Sequence, residues 1–306
     1  MLEARSLCKS FGPIQAVKDL SFSLEKGTVL GFLGPNGAGK STTMRMLTGY
    51  LTPTRGTALI QGHDVQSDAL AARQCLGYLP EGAPLYAEMT VRQFLTFIAR
   101  MRNIPAAEIP ERLGETLERL SLTEVACQTI ETLSKGFRRR VGIAQALIHD
   151  PCVLILDEPT DGLDPNQKRD VRRLIQSMLD DKLIIVSTHI LEEVPALCNR
   201  VMIIANGQLQ ADDTPQGLLE TSRYYQAVTL QVDDSQAAAS ALSDLPEAAR
   251  IELKHHELTV FPREGAELLP LVTKLAEQYQ WKVHNLRLEA GRLDDVFRRV
   301  TTGLEA

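Results

Sequence analysis

The sequence has no apolar run long enough to cross a bilayer. Its longest runs, such as Val29–Leu33, Val153–Leu156 and Val201–Ala205, stop after four or five residues, where a spanning helix needs roughly 20. The start Met1-Leu2-Glu3-Ala4-Arg5 lacks a basic segment ahead of an apolar stretch, so no signal peptide is expected. Cysteine is sparse: five residues stand singly, with no C-x-x-C pair. That pattern argues against a zinc site or a disulfide framework and for reduced thiols in the cytoplasm. Excess positive charge is missing too, with 33 Lys+Arg against 39 Asp+Glu and a net charge of −6. A dedicated nucleic-acid binder carries the opposite balance. Internal repeats and low-complexity tracts are absent. What remains is an ordinary globular composition, 44% hydrophobic and 24% charged. At 306 residues two domains are expected.

From Leu2 to about Glu220 short apolar strands alternate with helical patterns. Val29–Leu33 reads as a buried strand, followed by a helix over Thr42–Thr48 that Gly49 closes. Val153–Leu156 and Leu183–Val186 are further continuous apolar runs, as a parallel sheet covered on both faces requires. Ahead of both, the middle section from Val91 to about Cys127 has helical spacing alone, which gives a helical subdomain at about 88–150. After Thr221 the pattern becomes strand (226–232), helix (235–245), strand (250–254), strand (257–261), helix (265–279), strand (281–288), and a last helix (293–302). This is the β-α-β-β-α-β order of a ferredoxin-like α+β domain over 221–306. Pro270 fits the second helix if it sits in the first turn.

The strongest chemical signal is Gly34-Pro35-Asn36-Gly37-Ala38-Gly39-Lys40-Ser41, a complete G-x-x-x-x-G-K-[ST] between a strand and a helix. Glycines let the backbone wrap phosphates, and successive N–H groups at a helix start attract anions. Lys40 would reach the β- and γ-phosphates, the Ser41 hydroxyl would ligate Mg²⁺, and Thr42 continues the cradle. Val153-Leu154-Ile155-Leu156-Asp157-Glu158 then delivers two carboxylates from the end of a strand, where open α/β sheets bind ligands. Asp157 would hold Mg²⁺ and Glu158 would take a proton from the attacking water.

Further segments extend this pair of motifs into a set. Leu133-Ser134-Lys135-Gly136-Phe137-Arg138, Gly162-Leu163-Asp164, Ser187-Thr188-His189 and Ser10-Phe11-Gly12 follow in the order of one known family. Over roughly Leu2–Glu220 the chain resembles the ATP-binding subunits of ABC transporters, with their signature loop, D-loop, switch histidine and adenine-stacking aromatic. The resemblance implies a P-loop ATPase core and a head-to-tail dimer enclosing two ATPs, formed with itself or with a sister subunit. Ser134 and Gly136 of one subunit would contact the γ-phosphate held by the other, with Asp164 nearby. His189 would position the water and Phe11 would stack on adenine. It also implies separate membrane permease subunits and a peripheral place on the inner face of the membrane. The permease would dock near Glu81–Thr96, with Leu85, Tyr86 and Met89 as apolar contacts. Gly77-Tyr78-Leu79-Pro80-Glu81 and Leu293-Asp294-Asp295-Val296-Phe297 resemble ATPases of drug, polysaccharide or gliding-type exporters. The tail domain could then be regulatory, a dimer contact or a permease clamp.

Three positions depart from the family pattern. Lys135 stands for the first signature glycine and Phe137 for the usual glutamine, while Glu81 takes the Q-loop glutamine's place. Glutamate can still ligate Mg²⁺ but donates no hydrogen bond and adds charge. Plainer readings cover the rest: Arg138-Arg139-Arg140 as a solvated helix start, His255-His256 as a hairpin turn, Trp281, Met44 and Met46 as packing. The competing functions are an ATPase acting on ribosomes or DNA, and an ATP sensor without turnover. One phosphate loop, no heptad run and the presence of Lys40, Asp157, Glu158 and His189 weigh against both.

Overall fold

The computed structural model describes residues 1–188 and 190–302, which divide into two compact units, Met1–Asp213 and Thr214–Ala306. The first unit opens with strands β1 (Leu2–Phe11), β2 (Ile14–Leu24) and β3 (Val29–Leu33), helix α1 (Lys40–Leu47), then β4 (Arg55–Ile60) and β5 (His63–Asp64). Helix α2 (Ala69–Gln74), β6 (Leu76–Leu79), and helices α3 (Val91–Met101), α4 (Ile109–Arg119) and α5 (Lys135–Leu147) follow. It ends with β7 (Val153–Asp157), α6 (Pro165–Gln176), β8 (Leu183–Ser187), α7 (Val194–Leu197), β9 (Arg200–Ala205) and β10 (Gln208–Asp213).

Six strands form one sheet in the order β10-β9-β3-β8-β7-β6, parallel from β9 to β6. All residues of β3, β7 and β8 are buried, as their unbroken apolar runs require. A second sheet, β2-β1-β4-β5, is antiparallel, and the sequence reading did not separate it from the α/β alternation. One apolar core joins the two sheets: Leu2, Leu7 and Leu20 of the antiparallel sheet pack with Phe32 of β3 and with Met44 and Met46 of α1. Met44 and Met46 are core residues, as read from the sequence. The segment between β6 and β7 is helical, and Thr90 both caps α3 and bridges to Thr129.

The second unit comprises α8 (Pro215–Glu220), β11 (Tyr225–Val232), α9 (Ser235–Ser243), β12 (Ala248–Lys254), β13 (Glu257–Pro262), α10 (Leu268–Gln278), β14 (Val283–Ala290) and α11 (Leu293–Thr302). Its sheet has the order β12-β13-β11-β14 with every pairing antiparallel, the topology of the ferredoxin-like split βαβ. Val228 and Leu230 of β11 pack with Leu242 of α9 and Val272 of α10. Pro270 is the third residue of α10, inside the first turn, where its missing N–H costs nothing. His255 and His256 form the exposed turn between β12 and β13. Trp281 precedes β14, stacks on Tyr279 and packs against this core.

Helix α5 packs tightly on β6. A Cβ on Gly77 would stand 2.1 Å from the Ala146 carbonyl oxygen, so only glycine permits this approach. Just past α5, His149 Nε2 donates to the Leu76 carbonyl at 3.0 Å, while its Nδ1 is buried without a hydrogen-bond partner. Burial, helped by the charge of Arg102, pushes the imidazole down from 6.5 to about 4. The unfolded chain therefore binds a proton that the folded ring refuses, so stability is lost as pH falls from 6.5 towards 4. Urea unfolding at pH 7 and pH 4.5 should show the native chain losing on the order of 2 kcal/mol more than His149→Gln. Parallel losses in the two proteins would refute this account of the histidine.

Candidate functional site

The chain turns polar at one level of the large sheet, the C-terminal ends of β3, β7 and β8. The phosphate loop leaves β3, and Asp157 ends β7 directly opposite Ser187 of β8. Only β8 separates β3 from β7, so loop and carboxylates lie about 10 Å apart across two strand spacings. A lysine side chain covers much of that distance.

Pro35, Asn36 and Gly37 are exposed at the tip of the loop, whereas Gly34, Ala38 and Gly39 are buried at its base. Ala38 N–H donates to the Pro35 carbonyl and Gly207 N–H to that of Ala38. Gly39 has φ 105°, and a Cβ there would meet the Ala16 carbonyl oxygen at 2.6 Å. The glycine is thus required by both torsion and space. As N-cap of α1 it brings no side chain to the first-turn N–H groups, which include those of Ser41 and Thr42 and open a cradle suited to phosphate. Lys40 Nζ donates to the Gly34 and Pro35 carbonyls at 2.6 and 3.2 Å, folding back over the loop. Burial lowers the Lys40 pKa, opposed by the charges of Glu158, Asp157 and Glu81. One ammonium therefore feels all three carboxylates that the sequence reading assigned to this site.

Asp157 is buried and accepts a short hydrogen bond from the Ser187 hydroxyl. Glu158 follows in the left-handed region at φ 53°. Its N–H faces the Ser187 carbonyl at 3.1 Å and hydroxyl at 3.2 Å. The Ser41 hydroxyl and the Asp157 carboxylate are hard oxygen donors, the set that suits Mg²⁺, which keeps its remaining positions for water and phosphate. Among the described residues no group of three His, Cys, Asp or Glu side chains is placed to hold a metal.

Ser134 is exposed and caps α5, its hydroxyl accepting from Phe137 N–H at 3.3 Å. Gly136 lies buried beside Gln167 of α6. Lys135 extends over Gly162 and pairs with Asp161 at 3.1 Å, so this departure from the family pattern directs its side chain to the next loop. Asp164 caps α6 in a reciprocal capping box with Gln167. Phe11 is exposed at the end of β1, with Lys9 Nζ 5.3 Å from its ring. His189 lies outside the described residues.

The arginine run is where the sequence reading fails. Arg138 is exposed, but Arg139 is buried and Arg140 half-buried. Arg140 pairs with Asp170 at 3.2 Å. Arg139 donates to the main-chain carbonyls of Asp157, Glu158 and Pro159 on one side, and of Glu81 and Pro80 on the other. A run of three arginines signals solvent by composition. Only the helical period, which puts Arg139 on one buried face with Gly136 and Gly142, marks the middle one as different.

A cavity of about 600 Å³ adjoins the site, lined by Arg45, Tyr78, Glu81, Arg102, Gln145 and Asp157 among others. It runs from Asp157 to the end of α3, between the sheet and the helical segment. Burial and the nearby Asp157 push the Tyr78 phenol up to about 12, so it stays neutral.

Residues 17–161 match the sequence profile of the ABC transporter family. The chain is 34% identical over 302 residues to the Nod factor export ATP-binding protein I of Ralstonia nicotianae, covering 98% of this chain and 94% of that one. The chain belongs to the ATP-binding proteins of ABC transporters. It carries the family's ABC ATPase domain. It is also 42% identical over 207 residues, 67% of its own length, to ABC transporter A family member 1 of Dictyostelium discoideum, of which it spans only 24%. Among solved structures, an ATP-binding subunit of an ABC transporter superposes with a TM-score of 0.67 at 29% identity, covering 71% of this chain and 91% of that one. No helix among the described residues is long and apolar enough to cross a membrane.

Thermal unfolding with Mg²⁺-ATP reads the loop directly. Saturating nucleotide at about 100 times Kd should add about 2.7 kcal/mol to the native chain. Lys40→Ala should lose most of that gain while its unliganded midpoint stays close to the native one. A full nucleotide-induced shift in the variant would remove Lys40 from phosphate binding.

Proposed function

We propose that this chain is the ATP-hydrolysing subunit of an ABC exporter, acting as a dimer on separate membrane permease subunits. The observation that carries the reading is the placement of Asp157, at the end of β7 opposite Ser187, one strand away from the glycine-capped phosphate loop that follows β3. The export name belongs to the Ralstonia relative, and the match to it runs through both units of this chain. This supports an exporter over a DNA- or ribosome-directed ATPase.

In this reading the uncapped N–H groups of α1 and Lys40 hold the β- and γ-phosphates. Ser41 and Asp157 would hold Mg²⁺, which would supply charge neutralisation at the phosphates. Ser187 keeps the Asp157 carboxylate turned to that position by donating to it. Glu158 accepts the proton of the attacking water, with His189 completing the constellation, and Phe11 offers its exposed ring to adenine. Ser134 and Gly136 meet the γ-phosphate of a second subunit, so nucleotide becomes the bridge between the two. Lys135, turned to Asp161, leaves that contact open. The cavity lined by Glu81, Gly82 and Pro84 receives a permease segment, and Tyr86, two residues further on, is half-exposed and packed edge-on against Phe94 and Phe97. A groove reaching Asp157 lets nucleotide state and permease position act on one another.

Glu158→Gln should lower ATPase turnover by about 100-fold or more and, with ATP, trap the closed dimer on its partner. Tagged Glu158→Gln recovered from detergent-solubilised membranes should carry a multi-spanning permease in stoichiometric yield. Ribosomal or DNA-repair proteins without a permease would overturn the exporter reading. In the same background Tyr86→Asp should release the permease and retain nucleotide. Undiminished recovery of permease would move the docking site elsewhere.

A further inference from the structure

Arg139 has no part in the reading above, yet it is 7% exposed and sits between the two loops that the reading uses. Its Nε and Nη2 reach the carbonyls of Asp157, Glu158 and Pro159 at the end of β7. Its Nη1 reaches the carbonyl of Glu81 at 2.9 Å and that of Pro80 at 3.4 Å, after β6. Burying a cation is costly unless its donors are met, and a planar fork with five N–H groups meets five carbonyls where an ammonium has three donors. Burial lowers its pKa, while Asp161, Asp157, Glu158 and Glu81 favour the charged form.

The backbone it grips is strained. Glu158 at φ 53° occupies a region that is unfavourable for a non-glycine residue and persists only where its surroundings over-determine it. The N–H of Glu158 is held by Ser187 and its carbonyl by Arg139. With the peptides on both sides of the Cα fixed, the direction in which the Glu158 side chain leaves the backbone is fixed as well.

We propose that Arg139 is a positioning residue for hydrolysis, fixing the backbone that aims Glu158 and joining it to the Glu81 turn so that both move with α5. The proposal rests on Glu158 being the general base. It also gives the groove a route to the chemistry. A permease segment that shifts the Glu81 turn displaces the Arg139 fork, and with it the Glu158 carbonyl.

The test uses the full chain with Arg139→Gln and Arg139→Lys, measuring ATPase turnover, affinity for a fluorescent ATP analogue and the thermal midpoint. Arg139→Gln should lower kcat by about 30- to 100-fold, as a misplaced reacting group does, with analogue Kd within about threefold. Arg139→Lys, which keeps the charge without the fork, should fall by about tenfold. Arg139 acts through Glu158, so in the Glu158→Gln background Arg139→Gln should cost less than about threefold. A residue important only for packing would cost the same in both backgrounds, and that result overturns the proposal. So does turnover within about threefold of native in both folded single variants. If Arg139→Gln does not fold, native-like turnover in Arg139→Lys decides against it. Native turnover in Glu158→Gln alone would instead remove the general base, a failure of the underlying reading that is told apart by that variant.

Discussion

Parallel pairing in register governs the rest of this structure. Strands β3, β7 and β8 are each five residues long, wholly buried and hydrogen-bonded as neighbours, with β8 in the middle. The register places Phe32 and Asp157 on either side of Ser187, so apolar character ends at that level on β7 and β8 and two residues later on β3, where the phosphate loop begins. The glycines and Lys40 follow β3, Asp157 and Glu158 come at the end of β7, and Ser187 ends β8. A register slip would invert inward and outward faces in a sheet that tolerates neither. The spacing that brings Asp157 to Ser187 is therefore as firmly fixed as the core itself. The chemistry inherits its precision from apolar packing several residues away.

Much of this was legible beforehand because it depends on local pattern. A strand, a glycine loop and a helix in succession can hardly do other than present N–H groups to an anion, and Val153–Asp157 could be read from its apolar run alone. The second unit was legible for the same reason, since the succession of strand and helix patterns gives β-α-β-β-α-β without reference to distant contacts. In the antiparallel β2-β1-β4-β5 sheet the hairpin of β1 and β2 is local, closing between Phe11 and Ile14, but the pairing of β1 with β4 joins Leu2 to Ile60, and that distant partner has no local signal to separate the sheet from strands of the main one. Arg139 was misjudged for a related reason. Its partners are main-chain carbonyls from positions 80–81 and 157–159, and carbonyls carry no sequence signature.

The departures from the family pattern have opposite signs and different surroundings. Lys135 meets Asp161 at 3.1 Å with both side chains more than half exposed, a pair worth no more than about 1 kcal/mol. Its effect is steric and directional. By leaning over Gly162 the side chain stays clear of the Ser134 hydroxyl and the Gly136 backbone, so the loop keeps its shape with one glycine fewer. Glu81 is exposed, but its charge is felt by Lys40 and Arg139 alike.

That shared field links the departure at Glu81 to the buried arginine. Glutamine in this position would be neutral, whereas glutamate adds a third carboxylate beside Asp157 and Glu158, all of which repel one another and the phosphates of a nucleotide. A buried guanidinium beneath them offsets part of that repulsion without competing for the phosphates, because its donors are already committed to main-chain oxygens. Lysine in its place could satisfy fewer carbonyls and would be easier to deprotonate when buried. The middle arginine of the run and the glutamate of the loop are thus two halves of one electrostatic arrangement, read separately in sequence and joined only where α5 crosses the end of β7.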